Sequence, residues 1–171
     1  MGQTILLSGR PGVGKTTLIR KCIATLPGRC GGFYTREIRN KGRRLGFEIV
    51  TVNGHRAPLA RAGTVGLPRV GKYGVYVENV DRVAVPAIGR AVAGADYVLI
   101  DEIGKMELLS NAFRAAVLSA VSSSKPVLGT VMHGTHPWAD ALKGLPQVVV
   151  VVVTVENRER LLERIARLLR S

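Results

Sequence analysis

The feature that most constrains this chain is the stretch GRPGVGKTT at residues 9–17, between an apolar run and a helical pattern. It matches GxxxxGK[ST] at every fixed position. Glycines let the backbone turn so that successive N–H groups face phosphate oxygens, and Lys15 brings a positive charge to the β- and γ-phosphates. The stretch predicts a phosphate-binding loop that comprises Gly9, Arg10, Pro11, Gly12, Val13, Gly14, Lys15, Thr16 and Thr17.

The hydrophobic pattern around the loop alternates between strands and helices. Strands are predicted over residues 3–8, 97–100, 126–131 and 147–153, and helices over 15–26, 107–121, 136–142 and 156–169. Asp81 is predicted to cap a further helix over 81–92. This alternation indicates an α/β fold, a mainly parallel sheet with helices on both faces.

The segment between the first and second helices has a different pattern. Residues 33–39 and 45–52 are strand-like and are separated by Asn-Lys-Gly, which predicts an antiparallel β-hairpin added to one end of the sheet. Another strand-like run covers residues 73–77. No linker divides the chain, so we expect residues 1–171 to form a single domain. We also expect this domain to be a monomer.

Composition narrows the possible partners. Lysine and arginine total 25 against 12 acidic residues, a formal charge of +13, which attracts polyanions. No aromatic residues alternate with the basic ones, so nucleic-acid binding has no motif to support it. The longest apolar run, 148–153, is too short to cross a bilayer, and the N-terminus has no basic leader, so a cytoplasmic location without membrane contact is expected.

A second motif, YVLIDE at residues 97–102, follows the loop by some eighty residues. Its apolar part predicts a buried strand, and parallel sheets bind ligands at the carboxyl ends of their strands. Asp101 is expected to hold Mg²⁺ opposite Thr16. Glu102 is positioned to deprotonate a water molecule aimed at the γ-phosphate. The predicted metal ligands are Thr16 and Asp101. The predicted catalytic residues are Lys15, Glu102 and Thr130, the last of which ends the strand expected beside Asp101.

Several motifs together carry a family resemblance: GRPGVGKTTLI, GFYTREIRNKGRRLGFEIVT, LIDEIGKMEL, LGTV and VTVENRERLL. In this order and spacing they resemble the small nucleoside triphosphatases grouped with cancer-related nucleoside triphosphatase. The resemblance covers nearly the whole chain, although residues 133–138 match poorly and leave open any role of His133 or His136. It implies a three-layer P-loop NTPase fold and Mg²⁺-dependent hydrolysis of several nucleoside triphosphates to diphosphates, with broad base tolerance.

Other functions compatible with a phosphate loop differ in how well the sequence supports them. A guanine switch needs [NT]KxD, and the one Asn-Lys pair, Asn40-Lys41, is followed by Gly-Arg. A nucleotide or small-molecule kinase is the stronger alternative, because its loop reads much the same and the basic hairpin could form a lid. A nucleic-acid-linked ATPase is indicated only by the net charge.

The remaining candidate residues have weaker sequence support. Thr130 ends the strand expected beside Asp101, and its hydroxyl could contact the γ-phosphate or hold the water, or it could cap its own turn. Lys105 follows the acidic pair closely enough to reach phosphate, or to pair with Glu102 or Glu107. Asn157 and Arg158 begin the last helix, where such folds often place the base. Candidates for an arginine finger are Arg36, Arg39, Arg43 and Arg44.

Overall fold

The computed structural model describes residues 2–170, and the two ends of the predicted domain, Met1 and Ser171, lie outside the described residues. Its strands are β1 Thr4–Ser8, β2 Cys30–Asn40, β3 Arg43–Thr51, β4 Arg56–Ala62, β5 Arg69–Val70, β6 Tyr73–Val75, β7 Tyr97–Ile103, β8 Val127–Val131 and β9 Val148–Val152. Its helices are α1 Lys15–Thr25, α2 Val77–Asn79, α3 Val85–Gly94, α4 Asn111–Val121, α5 Pro137–Lys143 and α6 Arg158–Arg170. A π-helical turn covers Val80–Ala84 and a 3₁₀ turn covers Glu107–Leu109.

The strands of the described chain form one sheet in the order β5-β6-β4-β3-β2-β7-β8-β1-β9. From β2 to β9 the neighbouring strands run parallel. From β2 outward to β5 they run antiparallel. The mainly parallel sheet is confirmed, and the predicted hairpin is the beginning of a longer antiparallel extension made of β3, β4, β6 and β5.

Helices cover both faces of the parallel part. Side chains alternate across β1, so that Leu6 packs into one core while Ile5 and Leu7 pack into the other. The core around Leu6 includes residues of α3, α4 and α5, and the core around Ile5 and Leu7 includes residues of α1 and α6. The three-layer α/β arrangement of a P-loop protein is thereby confirmed.

Two strands of the extension were not predicted. β4 has the sequence RAPLARA, in which only Leu59 and Ala60 are buried and Pro58 cannot donate a backbone hydrogen bond. β5 has only two residues. Both pair with neighbouring strands in the sheet, and this tertiary pairing outweighs their weak local signal.

Two predicted helix starts were wrong. The helical run expected from Asp81 begins at Val77, and Asp81 lies inside the π-helical turn, where its carboxylate accepts a hydrogen bond from the Ser110 hydroxyl. The helix expected from Glu107 begins only at Asn111, because Ser110 caps it by accepting a 2.9 Å hydrogen bond from the Phe113 N–H. Glu107 therefore lies in a turn directly after β7.

Across residues 2–170, no helix combines the length and apolar character needed to cross a membrane.

Candidate active site

The predicted phosphate loop connects the end of β1 to the start of α1. Ser8 is the last residue of the strand and Lys15 the first of the helix. Gly14 precedes the helix with φ 99°, a left-handed conformation that strongly favours glycine. The Lys15 Nζ donates hydrogen bonds to the Gly9 and Arg10 carbonyls at 2.7 and 3.1 Å, so its charge lies over the loop. The amino end of α1 thus points at the place where a phosphate would sit.

Asp101 connects the loop to the centre of the sheet. Its Oδ2 accepts a 3.0 Å hydrogen bond from the Thr16 hydroxyl, and its Oδ1 accepts a 2.7 Å bond from the Thr130 hydroxyl. Thr130 lies on β8, the parallel neighbour of β7, as the sequence predicts. The structure therefore brings these three predicted residues together. Because the Thr130 proton is donated to Asp101, this hydroxyl orients the carboxylate.

Burial sets the electrostatics of the acidic pair. Burial raises the pKa of Asp101, against hydrogen bonds from Thr130 and Thr16 and the charge of Lys15, which lower it. Burial, and then the charge of Asp101, raise the pKa of Glu102, while Lys15 lowers it. A carboxylate with a raised pKa is a stronger base, so the environment of Glu102 favours proton acceptance.

A third carboxyl group, that of Glu107, belongs to the same site. It is 4% exposed, and its Oε2 accepts a 3.1 Å hydrogen bond from the Gly104 N–H. Burial, and then the charge of Glu102, raise the pKa of Glu107 to about 8. The sequence pattern does not single out Glu107 as a site residue, because it places this residue in the helix that follows. Its position within LIDEIGKMEL, five residues after Glu102, was the available signal.

A cavity of about 380 Å³, here called the acid-side cavity, opens beside the loop. Its polar lining includes Lys15, Glu102, Lys105, Glu107 and His133. Its other wall comes from the antiparallel extension and from the ends of β7 and β8, and includes Thr35, Phe47, Leu59, Val70, Met106, Val131 and Met132. Lys105 and His133 thus lie at the site, whereas the His136 Nδ1 caps α5 by accepting a hydrogen bond from the Ala139 N–H at 3.5 Å.

A second cavity, of about 200 Å³ and here called the helix-side cavity, lies at the other end of the loop. Gly14, Thr17 and Arg158 are among its lining residues, and the Arg158 Nη1 donates to the Val13 carbonyl at 3.4 Å. Asn157 shapes the turn before α6, because its side chain accepts from the Thr154 N–H at 2.8 Å and donates to the Val152 carbonyl at 2.9 Å. Arg158 thus contacts the loop directly, and the expectation that Asn157 and Arg158 lie near the base stays a prediction.

The hairpin arginines are largely engaged with acidic side chains of the same hairpin. Arg36 pairs with Glu48, and both Arg39 and Arg44 pair with Glu37. An arginine finger supplied by one of these residues, or by Arg43, stays a prediction.

The residues around Asp101 suit Mg²⁺. This ion prefers oxygen ligands, and the Thr16 hydroxyl and the Asp101 carboxylate already lie within hydrogen-bond distance of each other. Asp101 is 2% exposed, and among residues 2–170 it forms no ion pair that would neutralise its charge. A buried carboxylate of this kind is stabilised by a cation.

The fold and the site together define a P-loop protein that binds a nucleoside polyphosphate. The sequence model of a family described as NTPase matches residues 4–166. The chain therefore belongs to this NTPase family, and the resemblance noted in its motifs is confirmed.

Individual relatives agree with this assignment over the whole chain. The sequence is 42% identical to nucleoside-triphosphatase THEP1 of Thermotoga sp. (strain RQ2), an alignment that covers 97% of this chain and 95% of that protein. It is 39% identical to the cancer-related nucleoside-triphosphatase homolog of Bos taurus, covering 100% and 98% of the two chains. The crystal structure of THEP1 from the hyperthermophile Aquifex aeolicus has a TM-score of 0.88 at 36% identity and covers 98% of this chain and 99% of that one.

Proposed function

We propose that this NTPase hydrolyses nucleoside 5'-triphosphates to the diphosphate and inorganic phosphate, that the reaction depends on Mg²⁺, and that it tolerates different bases. The observation that supports it most strongly is the hydrogen-bonded chain Thr16–Asp101–Thr130 beside Glu102 and Lys15. This arrangement supports the proposal because the residues proposed as metal ligand, general base and phosphate-binding cation lie at one edge of the sheet.

The loop binds the phosphates. Backbone N–H groups and the amino end of α1 contact the phosphate oxygens, and Lys15 neutralises part of the charge on the β- and γ-phosphates. Thr16 and Asp101 would hold Mg²⁺, which when bound neutralises phosphate charge and orients the triphosphate. Thr130 fixes the rotation of the Asp101 carboxylate.

Glu102 is the proposed general base. Its carboxylate borders the acid-side cavity together with Lys15, so a water molecule there lies between the base and the end of the triphosphate. Glu102 takes a proton from this water as its oxygen attacks the γ-phosphorus, and the bond from phosphorus to the bridging oxygen of the diphosphate breaks. Lys105 is the further cation that can approach the released phosphate.

Base tolerance follows from where the nucleoside would lie. Phosphate contacts carry no information about the base, and the helix-side cavity offers the nucleoside the Arg158 side chain and the wall of α1. Asn157 supports this edge by holding the turn before α6. A strong preference for one base would contradict this part of the proposal.

A phosphotransferase is the second candidate, and the size of the acid-side cavity favours it. A single water molecule occupies about 30 Å³ in the liquid, far less than the cavity offers. Its partly apolar wall could hold an alcohol, whose hydroxyl would replace water as the attacking group. In that reaction Glu102 takes the proton of the alcohol, and the phosphate leaves on the acceptor.

Amide substitutions at the two acids test the roles proposed for them. Glu102→Gln keeps size and polarity but cannot accept the proton, so it should bind MgATP normally and hydrolyse it at least about 100-fold more slowly. Asp101→Asn should instead weaken the dependence on Mg²⁺, and part of its defect should be recovered at higher Mg²⁺. We would measure nucleotide affinity and phosphate release across a Mg²⁺ series, with Lys15→Ala as the control that loses phosphate binding.

The outcomes separate the candidate functions. Wild-type hydrolysis by Glu102→Gln would show that Glu102 is not the base. Loss of ATP without an equal release of free phosphate, in the presence of alcohols, would indicate a phosphotransferase.

A further inference from the structure

Glu107 and Glu102 approach each other at Gly104. A Cβ atom added to Gly104 would lie 2.5 Å from the Glu102 Oε1 and 2.9 Å from the Glu107 Oε2. The two carboxyl oxygens are therefore separated by no more than the sum of these short distances. A side chain at this position would have to displace one or both carboxyl groups from where they now lie, so the glycine allows the two groups to converge on the turn after β7.

The Glu107 carboxyl also closes this turn. It accepts the hydrogen bond from the Gly104 N–H at 3.1 Å, and the Gly104 carbonyl accepts one from the Leu108 N–H at 2.9 Å. Both polar backbone groups of Gly104 are thus bound by consecutive residues of the 3₁₀ turn. The carbonyl of the preceding residue, Ile103, accepts a 3.0 Å hydrogen bond from the Met132 N–H, so this residue is fixed as well.

A purely structural role does not account for a carboxyl group at this position. Glu107 is buried, and within the described chain no basic side chain lies at ion-pair distance from it. The charged group that most affects its pKa is another acid, Glu102. Burying an acid beside another acid costs stability, a cost that a neutral acceptor such as glutamine would not carry while still accepting from the Gly104 N–H.

We propose that Glu107 is a positioning residue for Glu102: its carboxyl fixes the turn at Gly104 and limits the directions in which the Glu102 carboxylate can point into the acid-side cavity. The inference rests on the proposed role of Glu102 as the base. Glu107 acts through Glu102 and does not itself receive the proton from the attacking water.

The test compares two substitutions of the same size. Glu107→Gln keeps an oxygen that can accept from the Gly104 N–H, and it should retain kcat close to that of the parent chain. Glu107→Met fills the same space without that acceptor, and it should lower kcat by about 10- to 100-fold, because misplacing a reacting group by about 1 Å has effects of this size. The Kd for MgATP should be unchanged in both variants, since among residues 2–170 no hydrogen bond or ion pair joins the Glu107 side chain to the loop.

Three further measurements keep the test decisive. Thermal unfolding of Glu107→Met should show a lower midpoint than the parent, because the buried Gly104 N–H loses its acceptor. The kcat per folded molecule, measured well below that midpoint, should still fall, which separates positioning from structural damage. Gly104→Ala should lower kcat in the same way, because its methyl group would displace both carboxyls. Leu109→Ala, on the exposed side of the same turn, is the control and should leave kcat unchanged.

The proposal is overturned by parental kcat in a folded Glu107→Met, by an equal loss in Glu107→Gln, or by a loss that only follows the folded fraction. If Glu107→Met fails to fold, the kcat of Glu107→Gln compared with the kcat of Gly104→Ala decides whether the proposal holds. Glu102→Gln is measured in parallel: if it hydrolyses ATP at the parental rate, the proposed base is wrong, whatever the Glu107 variants show.

Discussion

At the scale of single residues, the site is dominated by three acids at the end of one strand. Burial raises the pKa of Asp101, Glu102 and Glu107 alike; the charge of Asp101 raises the pKa of Glu102 further, and the charges of Glu102 and Asp101 raise that of Glu107. Lys15 is the cation that opposes this for the first two. The buried Asp101 carboxylate suits a site that receives a metal cation, and the raised pKa values make folding sensitive to pH.

Glu107 gives a prediction about this sensitivity. In the folded chain the Glu107 carboxyl keeps its proton up to about pH 8. In the unfolded chain this carboxyl loses the proton near its ordinary pKa of 4.5. Between these values the folded state binds more protons, so the free energy of unfolding falls as pH rises, by at most about 1.4 kcal/mol per pH unit for this group. Below and above that window its contribution is constant.

Urea unfolding from about pH 5 to 8 measures the effect, with Glu107→Gln as the comparison. Asp101 and Glu102 are present in both proteins, so the difference between the two pH profiles belongs to Glu107 and to its interaction with Glu102. The profile of Glu107→Gln should be flatter. Parallel profiles would show that Glu107 is ionised in the folded chain at neutral pH.

At the scale of elements, β2 joins the two parts of the sheet. Its first half pairs in parallel with β7, and its second half pairs antiparallel with β3. Gly32 lies in the parallel half with φ +110°, and a Cβ atom there would lie 2.0 Å from the Leu99 carbonyl oxygen. This close approach lets β2 lie against the strand that carries the acids.

Gly32→Ala should therefore destabilise the chain by more than about 3 kcal/mol, because both backbone strain and a clash with β7 oppose it. Gly54 is the matched control: it also has a positive φ, +92°, but nothing lies within 4 Å of an added Cβ. Gly54→Ala should cost only about 1–2 kcal/mol. Chemical denaturation of both variants gives the comparison, and equal losses would mean that the contact with Leu99 relaxes freely.

At the scale of the whole molecule, the chain carries a formal net charge of +13, and the substrate proposed for its site is a polyanion. Part of this charge is carried by exposed arginines of β4, β5 and α6, which are distant from the loop in sequence. Such a field attracts nucleoside triphosphates at long range and attracts nucleic acid equally well. A monomeric state and a cytoplasmic location stay predictions, and nucleic-acid binding is indicated by the net charge alone, without a motif.

The field predicts a salt dependence of nucleotide binding. Salt screens charges beyond about 10 Å at 0.1 M, so raising KCl from about 50 to 500 mM should raise the Kd for MgATP roughly three- to tenfold. The Glu102→Gln variant is suited to this measurement, because slow hydrolysis keeps the ligand intact. Adenosine, which has no phosphate, is the control ligand and should bind independently of salt. A salt-independent Kd for MgATP would mean that local contacts alone determine affinity.

The sequence by itself determined the phosphate loop, the acidic end of the strand 97–100 and the parallel alternation, because each depends on residues that are neighbours in the chain. Closely spaced glycines followed by Lys-Thr predict a phosphate loop between a strand and a helix. Consecutive apolar residues predict a buried strand. Only the tertiary structure decided that Asp101 bonds Thr16, 85 residues away, and Thr130, 29 residues away. It also placed Glu107 against Glu102 and built the cavity wall from β3, β4 and β5. These contacts depend on strand order and register, which are set by how the whole sheet packs and which no local pattern encodes.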